Sequence, residues 1–352
     1  MSGPPLPMLL PQLRQALALH EGGPPGPALR RLVAAGLDGL AWPASGQTLA
    51  RWQALAAVGG HDLSLAKLYE GHTDALAILH ELDAGALVDG NPGPAATWAV
   101  WAAEAPGARV RVDVDGQGQA RISGTKAWCS GAQAVSHALL TAWPEQGAQP
   151  QLVAVALEQP GVSISEAPWQ AVGMAASASA DVSFIRTPAA LVGAPGDYLA
   201  RPGFWQGGAG VAACWHGAAV ALGRALYAAV RREEEGGGRP DALLRRAALG
   251  RVDLALSAAG AVLREAAGWI DAHPRDDARL VALRARQGVE GAARRVLDEV
   301  TRALGATPLC RDAAFARHAA DLPVFIRQSH GDRDDAALGE QVAGCTQPPW
   351  EL

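Results

Sequence analysis

The chain has 352 residues, of which 49% are hydrophobic and 18% charged, and a formal net charge of −5. That length supports a full buried core in two or three subdomains, and that composition excludes intrinsic disorder. An acidic balance without a basic stripe excludes a nucleic-acid partner, and no apolar run of about 18 residues is uninterrupted enough to predict a membrane span.

Through about residue 90 the apolar spacing is helical. Leu9, Leu10, Leu13, Ala16 and Leu17 share one face, as do Leu29, Leu32, Val33 and Leu37, and Pro24-Pro25-Gly26-Pro27 separates the two groups. Residues 48–58 and 63–82 predict two further helices, the second capped by Asp62. Asn91-Pro92-Gly93-Pro94 reads as a linker. From 97 to 192 the pattern turns to short runs at 98–102, 109–114, 120–123, 138–142, 152–157, 162–165 and 181–185, with Asp115-Gly116 and Gly118 as a hairpin turn. Helical periodicity returns over 207–232, 242–272 and 280–304, interrupted by Gly236-Gly237-Gly238 and by His273-Pro274.

The expected architecture is α+β: an N-terminal helical domain (1–94), a middle β-barrel or sandwich domain (95–200), and a C-terminal four-helix-bundle domain (201–352). No internal repeat points to a solenoid. The most apolar long stretch, 207–223, contains His216 and many small residues, which suits a buried helix. The opening Met1-Ser2-Gly3-Pro4-Pro5 lacks a secretory pattern, and Cys129, Cys214, Cys310 and Cys345 lie far apart with no CxxC pair. Together these predict a cytoplasmic protein with reduced thiols and no metal site.

After the hairpin turn comes Gly124-Thr125-Lys126-Ala127-Trp128-Cys129-Ser130. This closely resembles the flavin-facing Gly-x-Lys-x-Trp-x-[Ser/Thr] segment of acyl-CoA dehydrogenases. A flavin needs a flat apolar wall and a few fixed donors. The resemblance implies that the Trp128 indole packs on the isoalloxazine and that the Ser130 hydroxyl approaches its N5 edge; the alternative for a hairpin tryptophan is a core anchor.

Val100-Trp101-Ala102-Ala103-Glu104-Ala105-Pro106-Gly107 resembles a reduced form of the family's Leu-Thr-Glu-Pro-x-x-Gly-Ser-Asp, with Glu104 retained and Ala103 in place of the Thr. The resemblance leaves Ala102 and Ala103 to contact the flavin through their backbone. Residues 169–184 carry Gly173, Ser177, Val182 and Phe184 in the order of another family segment, which bears on the fold and not on the site. Tyr227 and Arg231, one helical turn apart, resemble Tyr-x-x-x-Arg-x-x-Phe-Gly, in which the Arg reaches the cofactor pyrophosphate of a neighbouring subunit. Here Glu234-Glu235 stand in place of the Phe-Gly, and a solvated position is the alternative for Arg231.

The order of helices, β domain and helical bundle matches the acyl-CoA dehydrogenase fold. The resemblance implies FAD, an acyl thioester on CoA or on a carrier protein, a redox partner, a homodimer or homotetramer, and oxidation across the Cα–Cβ bond. That reaction needs a carboxylate to take the α-proton. Arg311-Asp312-Ala313 matches the residues before the family's catalytic loop, but His318-Ala319-Ala320-Asp321-Leu322-Pro323 follows where Tyr-Glu-Gly-Thr is usual, with Ala320 at the Glu position. Asp321, one residue late and one methylene shorter, is the candidate base, with a helix cap before Pro323 as its alternative.

The family's other location for the base, here 205–217, has no Asp or Glu but holds His216, either a base or a core histidine. His318 and the later His330 are similar to residues of another branch of the fold, the flavin-dependent monooxygenases. Those enzymes use reduced flavin and oxygen without an α-proton base, and the histidines are candidates to supply a proton. A catalytically degenerate binding protein on the same fold would account for all the motif losses together. The leading reading is a FAD-dependent oxidoreductase with Asp321, His216 and His318 as catalytic candidates.

Overall fold

The computed structural model describes residues 6–20, 22–89, 96–167, 169–235 and 242–350. The linker at 91–94 and the glycine run at 236–238 lie outside the described residues. In chain order, helices α1 (Leu6–Ala18), α2 (Pro25–Ala34), α3 (Thr48–His61), α4 (Leu63–Glu81) and α5 (Ala86–Asp89) come first. Strands β1 (Trp98–Trp101), β2 (Val110–Val114), β3 (Ala120–Cys129), β4 (His137–Pro144), β5 (Gln151–Ala156), β6 (Val162–Ile164) and β7 (Ala180–Val192) follow. Helices α6 (Asp197–Ala200), α7 (Gly203–Glu235), α8 (Ala242–Ala272), α9 (Arg279–Leu304), α10 (Ala306–Arg311), α11 (Ala313–Phe325) and α12 (Asp332–Ala343) complete the described chain.

These elements gather into two compact units, Met1–Leu40 with Lys67–Ala171 and Ala175–Phe204, and Ala41–Ala66 with Val172–Met174 and Trp205–Leu352. In the first, β2 and β3 form the expected hairpin, running from Val110 opposite Gly124 to Val114 opposite Ala120. Its turn is held by Asp115, whose Oδ1 accepts the Gln117 and Gln119 N–H groups at 2.9 Å each. Parallel pairing of β4 with β2 and antiparallel pairing of β3 with β7, β7 with β5 and β5 with β4 close a ring of strands. β1 lies parallel on β4, and β6 lies antiparallel on β7.

Gly124 is needed where it stands. Its φ is +120°, and a Cβ there would come 2.2 Å from the Arg109 carbonyl oxygen. Strand β7 runs to Val192, well past the expected end at 185. Pro188 and a left-handed Arg186 (φ 47°) break the local pattern, but Ala190, Leu191 and Val192 find partners on β5. The core of this unit packs one face of α4 (Ala75, Ile78, Leu79) against Trp98, Leu139, Leu152, Ala154, Val192 and Tyr198. Burying each large apolar side chain there contributes roughly 1.5–3 kcal/mol.

The second unit is helical. α7 buries Ala212, Trp215, Ala219, Leu222 and Leu226, α8 buries Val252, Leu263 and Ile270, and α9 buries Leu283, Val289, Val296 and Val300. α3 carries no side-chain cap of its own. Its first turn is served by Asp271 of α8, which accepts the Thr48 N–H at 3.0 Å and the Thr48 hydroxyl at 2.6 Å. Asp62 caps α4 as expected, its Oδ1 accepting the Leu65 N–H at 2.7 Å. Among the described residues no helix is long and apolar enough to cross a membrane.

Candidate functional site

Strand β3 places the central tryptophan by breaking its own alternation. Side chains two apart on a strand share a face, so Trp128 should follow the buried Ile122 and Lys126 inward. Instead the ladder with β7 slips, with Lys126 opposite Val182 and Cys129 opposite Ala180, so three steps on β3 match two on β7. This is a bulge, the device that re-aims a side chain. Trp128 absorbs it with a φ of 58°, a left-handed conformation that costs a non-glycine residue about 1–2 kcal/mol. The indole ends 56% exposed, while the next residue, Cys129, is fully buried. Asp181 steadies the bulge by accepting the Trp128 N–H at 3.3 Å.

The exposed indole forms one wall of a groove of about 350 Å³, lined also by Ser165, Trp169, Gln170, Ser179 and Asp181. A row of hydroxyls runs beside it: Ser130 Oγ lies 3.0 Å from Ser179 Oγ, which lies 2.9 Å from Ser177 Oγ. The Ser130 carbonyl accepts the Trp101 indole N–H at 3.1 Å, so the end of β1 is tied to the segment after the bulge. Ala102 and Ala103 follow β1 directly, the first half-buried and the second exposed.

One residue on, Glu104 Oε1 accepts from Lys126 Nζ at 2.8 Å and from the Thr141 hydroxyl at 2.6 Å, and its Oε2 accepts from the Trp143 indole at 3.2 Å. Burial pushes the Glu104 carboxyl up, but Lys126, Thr141 and Trp143 together hold it below the usual value. Through Trp101 and Glu104 the structure ties the segment that carries Ala102 and Ala103 to β3 at Lys126 and to Ser130 just after it, while the groove beside Trp128 is lined by other residues.

The remaining candidates lie in the helical unit. Asp321 is inside α11, 7% exposed. It is not the helix cap; Asp312 is, accepting the Ala314 and Phe315 N–H groups at 3.0 Å each, and α11 continues through Pro323 to Phe325. Asp321 Oδ1 accepts the N–H of Met174 at 2.5 Å. The segment 172–174 lies directly on the helix there, since a Cβ on Gly173 would come 2.1 Å from the Ala320 carbonyl oxygen. Burial raises the Asp321 carboxyl above its usual value and Asp62 adds to the rise, against the Met174 N–H.

His318, one turn before Asp321, has Nδ1 3.0 Å from the Ala314 carbonyl and Nε2 3.2 Å from the Gly59 carbonyl, so both nitrogens face backbone acceptors. His216 on α7 has an enclosed Nδ1 with no hydrogen-bond partner, and burial, then Arg264, holds its ring below the usual histidine value. Arg231, about 22 Å further along α7, is more than half exposed and pairs with Glu234 at 3.9 Å and Glu235 at 3.4 Å.

Sequence reasoning does not single out Trp169, Gln170, Ser179 and Asp181 as groove residues, because the run 169–184 speaks there only through its backbone fit. Nor does it single out the Lys126–Glu104 pair. The available signal is scarcity: Lys67 and Lys126 are the only lysines among 30 basic residues.

No protein-family model and no curated protein matches the sequence. Solved structures do match. KijD3 in complex with FMN and a dTDP-linked amino-keto sugar is 21% identical, with a TM-score of 0.78 over 98% of this chain and 93% of that one. Butyryl-CoA dehydrogenase from Megasphaera elsdenii is 16% identical, with a TM-score of 0.80 over 96% of this chain and 98% of that one. The methanesulfinate monooxygenase MsuC from Pseudomonas fluorescens is 19% identical, with a TM-score of 0.73 over 98% of each chain. The chain has the acyl-CoA dehydrogenase fold, with a sheet domain in the middle and helices after it.

Proposed function

We propose that this protein is a flavin-dependent oxygenase, acting with reduced flavin and dioxygen, and that its flavin ring rests on Trp128. The donor set of the groove fits that group. An exposed indole held outward against its backbone preference offers a flat wall, and the hydroxyls of Ser130 and Ser179 lie beside it. Strain of this kind concentrates where a side chain serves a ligand. Ala102 and Ala103 sit on the segment that Trp101 and Glu104 tie to the β3 region, and we assign their backbone N–H and C=O groups to the same ligand.

The observation that carries the choice of reaction is the state of Asp321. A carboxylate base must present an oxygen to the substrate. Asp321 is buried, and the oxygen with a defined partner is turned onto the Met174 N–H. Residues 205–217 contain no other carboxylate. An oxygenase does not require that base, and the methanesulfinate monooxygenase MsuC has a similar fold. When bound, reduced flavin supplies two electrons to dioxygen, one oxygen atom entering the substrate and the other leaving as water. We propose FMN as the bound form, the flavin that accompanies KijD3 on this fold.

The test is a titration of the purified chain with FMN and FAD, oxidised and reduced, followed by absorbance and tryptophan fluorescence, then anaerobic addition of a mixed acyl-CoA set. Flavin binding with no bleaching by any thioester is the expected result. A thioester that bleaches the flavin would restore the dehydrogenase reading and Asp321 as its base. A chain that takes up neither flavin would overturn both.

A further inference from the structure

Lys126 is 1% exposed, on a strand whose other inward residues are apolar. Burying an ammonium group is costly even when it is paired, and an apolar side chain of similar volume usually serves a core as well or better. Barrel stability therefore does not explain why a lysine stands there.

Its partners offer an explanation. Three acceptors surround the three-donor ammonium: Glu104 Oε1 at 2.8 Å, Thr141 Oγ1 at 2.7 Å and the Thr141 carbonyl at 3.3 Å. Thr141 passes a hydrogen bond on to the same Glu104 oxygen at 2.6 Å, and the Trp143 indole N–H holds the other oxygen at 3.2 Å. Glu104 itself lies in the connection between β1 and β2, outside the strand ladders. Side chains from β3 and β4 thus grip a segment that the sheet does not hold. Ala103 immediately precedes Glu104, and Trp128 follows Lys126 by two residues.

We propose that Lys126 and Glu104 are positioning residues, an ion pair that sets the backbone at Ala102 and Ala103 in register with the bulged Trp128 so that both meet one planar ligand. This rests on the flavin reading of the groove. Neither residue touches the ligand; the pair acts through the two segments it joins.

The test compares Glu104→Ala, Glu104→Gln and Lys126→Met with the wild type. Flavin affinity is read from quenching of tryptophan fluorescence by FMN, and thermal unfolding is followed without flavin. Glu104→Ala and Lys126→Met should weaken FMN binding about tenfold, the equivalent of one well-placed hydrogen bond. Glu104→Gln keeps an acceptor oxygen for Lys126 and Thr141 and should stay within about threefold on the same scale. Lys126→Met keeps the interior filled, so it reports on the pair even if Glu104→Ala folds poorly. Folded Glu104→Ala and Lys126→Met proteins that bind FMN as tightly as the wild type, whatever their melting temperature, would overturn the proposal. A wild type that binds no flavin is a separate result; it removes the flavin reading and this inference with it.

Discussion

Changing Asp321 to alanine removes the acceptor at 2.5 Å from the Met174 N–H, at a place where Met174 is 4% and Asp321 7% exposed. Taking the acceptor from a buried N–H costs about 1–3 kcal/mol. For a cooperative unit of this size each kcal/mol is about 2–4 °C of melting temperature. Asp321→Asn behaves differently, because it keeps a carbonyl oxygen in the same position and cannot ionise.

The sign follows from the raised carboxyl, which burial causes first. An acid that holds its proton more tightly when folded contributes stability that is full below its unfolded value, near 3.8, and that is lost as pH rises through the folded value. As pH rises, the wild type progressively loses that contribution. The asparagine variant should therefore gain in stability relative to wild type as pH rises, and lose that gain on acidification. Thermal unfolding followed by circular dichroism at neutral and acidic pH measures both variants. An alanine variant as stable as wild type, or an asparagine variant that loses as much as alanine, would refute the reasoning. Turnover adds a second reading: a base lost to asparagine costs about 10²–10⁴ in rate, whereas an anchoring carboxylate replaced by asparagine leaves turnover largely intact.

Three further outcomes are expected. Trp128→Gly should stabilise the fold by up to about 1 kcal/mol, since glycine adopts the left-handed conformation without strain, and should weaken flavin binding by about tenfold or more through the lost stacking face; unfolding and FMN titration on one sample check both. His137 and His216 are held below the usual histidine value by burial, with Arg264 adding to the effect at His216, so each contributes stability that is full above about 6.5 and lost as pH falls below it. Replacing both with glutamine should flatten the acid side of the stability profile measured by denaturant titration. Burial pushes the Cys129 thiol up to about 12, while Cys310 is exposed, so alkylation of the native protein followed by mass spectrometry should label Cys310 first and reach Cys129 only on unfolding.

Elements built from neighbouring residues are legible in the sequence. Helix α8 runs over Ala242–Ala272, the span that its periodicity and flanking breakers indicate. The β2–β3 turn and the Asp62 cap depend on groups two to four residues apart, and sequence spacing carries that information directly. The motif around Trp128 is readable as residue types in order, and it leads to the fold.

What spacing cannot carry is everything decided by a distant partner. Trp128 faces outward because the β3–β7 ladder slips beside it, and a ladder register exists only once both strands are paired. Strand β7 continues through Arg186 and Pro188 because β3 pairs with residues 187–189 and β5 with residues 190–192. Asp321 meets Met174 across 147 residues, Lys126 meets Glu104 across 22, and Asp271 serves the start of α3 across 223. The sequence by itself determined the order of helices and strands and the chemistry available at each position, because those follow from local backbone preference and side-chain period. The tertiary structure alone decided which of those groups are buried, paired or presented to a ligand, because burial and pairing are properties of segments that meet only after the chain has folded.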